Sequence, residues 1–160
     1  MKYLVEHGAD LNPNNRIYNT PLICAFENEH MNIINYLIKH GADANQFDGD
    51  NHYTSLLQAC KNEDEHMIKY FVEHGADINH DDIEGRTPLI YSCETANENL
   101  MKYLIEHGAN INKNGPLVYA CRKGHNIIEY LLEHDADIGQ ISKKKKKRRH
   151  LINCYLQKWK

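Results

Sequence analysis

Apolar and polar residues alternate along this chain in a block that returns about every 33 residues. Within one block, Ile33, Ile34, Leu37 and Ile38 fall at i, i+1, i+4 and i+5. That is one face of a helix, and it predicts a helix over Met31–His40 with Leu37 buried. Upstream, Leu22, Ile23 and Ala25 predict a shorter helix over about Pro21–Asn28. Thr20 and Thr87 stand where an N-cap hydroxyl would accept from the free amides of a helix start, and Pro21 and Pro88 suit the first turn. Gly41 follows the second helix, where a left-handed terminus favours glycine. The polar stretch Ala42–His52 reads as a turn.

The same landmarks recur in phase. His-Gly-Ala-Asp begins at His7, His40 and His74, and returns as His-Gly-Ala-Asn at His107 and His-Asp-Ala-Asp at His134. The spacings are 33, 34, 33 and 27. Upstream lie Thr20-Pro21-Leu22-Ile23, Thr54-Ser55-Leu56-Leu57, Thr87-Pro88-Leu89-Ile90 and Gly115-Pro116-Leu117-Val118. Helices of about ten residues are marginal alone. Each unit must bury its apolar sides on its neighbours, which predicts a stacked array with nearest-neighbour stability.

These units resemble the ankyrin repeat. The T-P-L-x-x-A pattern appears as TPLICA (20–25) and TPLIYS (87–92), and in altered form as TSLLQA (54–59) and GPLVYA (115–120). The second-helix pattern appears as HMNIINYLI (30–38), DEHMIKYFV (64–72), NENLMKYLI (97–105) and HNIIEYLL (125–132). The resemblance implies an all-α solenoid of helix-turn-helix units joined by hairpin-like loops. Residues 1–142 would form the array: a half repeat at 1–16, then repeats at about 17–50, 51–83, 84–111 and 112–142. Residues 143–160 would form a basic tail with a possible C-terminal helix.

Three departures are visible. The first unit carries only its second helix, so Leu4 and Val5 lack a partner helix. About five residues are lost between His107 and Pro116, which predicts a tight turn around Asn112–Gly115. Asp135 replaces the usual glycine.

Composition and charge narrow the function. Hydrophobic residues make up 41% and charged residues 26%, a globular balance, with mean hydropathy -0.69. No stretch approaches a membrane span, and the N-terminus has no signal-peptide core, which points to an intracellular, cytoplasmic protein with the nucleus possible. Net charge is -3, but the nine Lys/Arg from Lys143 onward meet no acid. Residues 1–142 hold 10 basic against 22 acidic residues, a net -12. Such a body repels nucleic acid. The five cysteines are odd in number, form no C-x-x-C pair and read as reduced thiols.

Candidate chemistry is sparse. The histidine column at 7, 40, 74, 107 and 134 cannot chelate, because equivalent atoms lie about 10 Å apart whereas metal ligands converge within about 2 Å of one ion. An imidazole bonded to backbone at each helix end is expected instead. Cys60, Cys93 and Cys121 read as small buried thiols at helix contacts. Tyr3, Tyr36, Tyr70, Tyr103 and Tyr130 read as rings packed between repeats with hydroxyls in water, or else as a binding stripe. No nucleophile elbow, Walker loop, H-E-x-x-H or dinucleotide fingerprint occurs. The expectation is a non-catalytic monomer with no cofactor and no metal site.

The resemblance implies binding of another protein through the concave side. Carried onto this chain, that surface is Tyr18, Asn19, Glu29 and His30; His52, Tyr53, Glu63 and Asp64; Arg86, Ala96 and Asn97; Lys123 and His125. The tail gives the alternative, a nuclear or nucleic-acid-associated regulator. Lys143, Lys144, Lys145, Lys146, Lys147, Arg148 and Arg149 have the composition of an import signal or anionic-surface patch. Beyond them Leu151, Ile152, Tyr155, Leu156 and Trp159 form a helical apolar stripe that could cap the array or lie on a membrane surface. A tail with no role is the third reading.

Overall fold

Each Thr-Pro landmark starts a helix for a local reason. The hydroxyls of Thr20, Thr54 and Thr87 accept the N–H groups of Ile23, Leu57 and Ile90 at 3.1, 3.3 and 3.3 Å. Pro21 and Pro88 occupy the first turn, where a missing N–H costs nothing. The structure, a computed structural model, describes residues 2–13, 19–49, 51–122 and 125–138. Tyr18, Lys123, the side chain of His125 and the whole of the tail lie outside the described residues, as does the apolar stripe proposed within that tail.

Among the described residues there are nine helices and no strand beyond one antiparallel bridge, Phe47 with Thr54. They fall into two compact units, residues 1–85 and 86–160. The first holds α1 (Lys2–Glu6), α2 (Pro21–Glu27), α3 (Met31–Lys39), α4 (Ser55–Lys61) and α5 (Glu65–Glu73). The second holds α6 (Pro88–Thr95), α7 (Glu98–Glu106), α8 (Pro116–Ala120) and α9 (His125–Glu133). Within each unit, consecutive helices pack as antiparallel pairs (α2 with α3, α4 with α5, α6 with α7, α8 with α9). The pairs stack through their first helices, α2 on α4 and α6 on α8.

Most apolar positions read from the sequence form the core, although Ile33 and Ile38 at the edges of the α3 face are half-buried. Leu22, Ile23, Ile34, Leu37, Leu56, Leu57, Ile68 and Phe71 are fully buried in the first unit, and Leu89, Ile90, Met101 and Leu104 in the second. Phe26 meets Phe71 edge-to-face at 5.7 Å, which locks α2 onto the following pair. Ser92, standing for alanine, is buried without penalty because its hydroxyl donates to the Leu89 carbonyl at 2.8 Å.

Both helix ends follow one rule. After α3, Gly41 takes φ 93, its N–H bonds the Ile38 carbonyl, and the Ala42 N–H reaches back to Leu37 at 2.9 Å. This is a Schellman end. The first helices end the same way, but without glycine: Glu29 and Glu63 take φ 57, and Ala96 takes φ 59. Asp135 takes φ 64 at the glycine position after α9. A side chain in this region costs about 1 kcal/mol, so Asp135→Gly is expected to raise stability by about that amount. Its backbone bonds survive the change, so a lower urea midpoint would contradict the assignment.

The hairpin-like fingers are closed by buried aspartates. Asp48 accepts the Tyr53 N–H at 2.7 Å, and Asp82 accepts the Glu84 N–H at 2.9 Å. The Ile83 N–H donates to the Asn51 carbonyl at 3.1 Å and joins the second finger to the first. The deletion before Pro116 leaves a turn with Asn114 at φ 59 and Gly115 at φ 75. Gly115 offers no side-chain cap, and α8 is only five residues long. On α1, Tyr3 and Leu4 are 68% and 57% exposed.

A candidate protein-interaction surface

Two in-register columns are consumed by folding. At His7, His40, His74, His107 and His134 the Nδ1 donates to the carbonyl four residues back, at 2.7–2.8 Å. A carbonyl only accepts, so each imidazole carries its proton on Nδ1. Each tyrosine ring stacks on the histidine four residues on, at 3.9–4.1 Å, because residues i and i+4 are neighbours on a helix. Tyr36, Tyr70, Tyr103 and Tyr130 are also half-buried, and the column reaches between repeats, where the Lys102 ammonium lies over the Tyr130 ring at 5.5 Å. Tyr70 also donates its hydroxyl to Asn35 at 2.6 Å, and burial raises its pKa.

A third column was missed in the sequence. Asn12 donates to the Gly41 carbonyl at 2.9 Å and accepts the Asp43 N–H at 2.7 Å. Asn45 does the same for Gly75 and Asp77, and Asn112 for Asp135 and Asp137. An amide has both a donor and an acceptor, so one side chain satisfies two orphan backbone groups of the next repeat.

The residues proposed for recognition divide into two groups. Asp64 and Asn97 accept the N–H groups of Met67 and Leu100, each at 3.0 Å, and so cap α5 and α7. Asn19 donates to Glu27 at 2.9 Å. Tyr53 lies under the Lys61 ammonium at 4.9 Å, and Arg86 lies over Tyr91 at 5.1 Å. Glu29, His30, His52, Glu63 and Ala96 are exposed. Glu29 and His30 line an open depression with Met31, Asn32 and Ile33, all from one chain segment with no facing wall. Among the described residues no three His, Cys, Asp or Glu side chains converge as a metal site would require. No helix there is long and apolar enough to cross a membrane.

Among the described residues Cys24, Cys60, Cys93 and Cys121 carry reduced thiols; Cys60 and Cys93 are buried as expected, whereas Cys121 is half-buried. Burial pushes Cys60 and Cys93 far up, Cys93 to about 12, with Glu94 and Cys121 adding to the Cys93 shift and a hydrogen bond with Ser92 opposing it. Protonated, enclosed thiols are poor nucleophiles. Exposed Cys24 is expected to take iodoacetamide first, and Cys60 and Cys93 only as the chain unfolds. The folded state holds these protons more tightly than the unfolded chain. Their contribution to stability is therefore intact below pH 9.0 and falls as pH rises from there toward about 12. Equal alkylation of all three thiols in the native protein would refute the burial.

The family model for ankyrin repeats, three copies in length, matches residues 1–82 and 56–142. The chain belongs to the ankyrin repeat family, and its fold is the all-α ankyrin solenoid class. Proteins of this family generally mediate protein–protein interaction and are typically non-catalytic. No curated protein matches the chain.

Proposed function

We propose that this chain is a non-catalytic interaction module that binds a partner protein through its finger tips and first-helix turns. One observation carries the reading. Glu29 and Glu63 sit exposed at φ 57, where the backbone favours glycine. Folding has no use for a carboxylate there, whereas a basic partner does. Glu29 and Glu63 hold one equivalent position, which is Ala96 in the following repeat, and all three face solvent, as do His30 and His52.

The body's net -12 predicts a partner presenting Lys or Arg. Capture by pull-down and mass spectrometry identifies that partner. Its association rate is then expected to fall as salt rises, while dissociation changes little. The same dependence should persist in a chain ending at Ser142 and shrink in Glu29→Lys/Glu63→Lys. A salt dependence that vanishes with the tail would make the acidic body a bystander. It would support the second reading, binding of an acidic partner by Lys143–Arg149, for which the tail's charge speaks.

A further inference from the structure

We infer that the two finger tips of the first unit form a preorganised anchor for a partner segment that carries an aliphatic or aromatic side chain flanked by Lys or Arg. The inference rests on the interaction reading above and adds the chemistry of the contact.

Large apolar side chains of the complete repeats in this unit are mostly buried, yet Phe47 is 41% and Ile83 66% exposed. Both sit on fixed backbone. Phe47 is paired with Thr54, and its ring lies 4.8 Å from that of His52 and 5.6 Å from that of His80. His80 Nε2 donates to the His52 carbonyl at 3.2 Å, and the Ile83 N–H to the neighbouring Asn51 carbonyl at 3.1 Å. A partner that docks here has little left to order on this side, which favours affinity. Apolar and aromatic groups of this kind supply the energetic centre of interfaces, whereas isolated surface carboxylates seldom do.

Charge selects the occupant. Segments 43–54 and 77–85 contain seven Asp or Glu and no Lys or Arg. Asp48 and Asp82 are buried in closing the fingers, and Asp43, Asp77 and Glu84 are exposed. Lys61 lies over the Tyr53 ring. An apolar tip in an acidic setting attracts a segment with flanking cations and repels acidic peptides, nucleic acid and anionic membranes.

The test uses the full chain and a fluorescent synthetic peptide in which a Leu-Phe pair is flanked on both sides by lysines. Binding is read by anisotropy at low and at physiological salt. Two control peptides exchange Leu-Phe for Ser-Ser, or the lysines for glutamates. The parent peptide is expected to bind at least about tenfold more tightly than either control, and Ile83→Ser and Phe47→Ser/Ile83→Ser to weaken it by about tenfold or more. Thermal melts check the fold, and the exposed Ile83 alone provides a variant that leaves packing intact. A serine peptide that binds as well as the parent would overturn the inference, as would unchanged affinity in Ile83→Ser. If Glu29→Lys/Glu63→Lys abolishes binding while the finger variants do not, the interaction surface stands and this anchor falls. If none of the variants affects binding, both fall.

Discussion

Phe71→Ala is expected to lower stability by about 3–5 kcal/mol, measured as a shift in the urea midpoint. Phe71 is fully buried on α5 and meets Phe26 of α2 edge-on, so truncation empties the contact that joins two helix pairs. Neighbouring first helices are held by their own caps and cannot collapse into the space without breaking them. A loss within the range of an exposed substitution, below about 0.5 kcal/mol, would show that the ring does not join the pairs.

Asn45→Asp is expected to cost about 1–3 kcal/mol, although the two side chains are nearly the same shape. Asn45 accepts from Asp77 and donates to the Gly75 carbonyl at 3.1 Å. A carboxylate keeps the acceptor, loses the donor, and sets a negative oxygen against a carbonyl oxygen. Protonation restores an O–H donor, so the deficit against wild type should narrow as pH falls below about 4. An Asn45→Asp protein as stable as wild type at neutral pH would show that the side chain does not link the repeats.

These residues also show which features a sequence displays. The helix pairs were legible because their signals are short-range: a Thr-Pro start, apolar residues three and four apart, and a His-Gly stop. The histidine role was legible for the same reason, since its carbonyl lies one turn back. The stacking of tyrosine on histidine has a local signal too, because Tyr36 and His40 stand four apart and face one another on a helix. The asparagine column was hidden by distance. Asn45 reads locally as a turn former, and its partners lie 30 and 32 residues away. Yet Asn12, Asn45, Asn79 and Asn112 each follow two residues after Asp10, Asp43, Asp77 and Asn110, a regularity that marks the position. Among the recognition residues, Asp64 and Asn97 were read as surface because a cap and a contact residue share the same polar chemistry. Phe47 and Ile83 escaped notice because only the folded fingers show that they stay uncovered.

The left-handed ends of the first helices have a consequence for how this chain can change. Glycine at Glu29 or Glu63 would relieve strain, so the present residues hold stability in reserve. Releasing that reserve would erase the carboxylates proposed for recognition. Asp135 lies outside that proposed set, and glycine there gains margin at no cost to it. In laboratory evolution of binding, a background with Asp135→Gly should therefore tolerate a heavier mutational load on the fingers, and new specificities should arise in it more readily than in the parent.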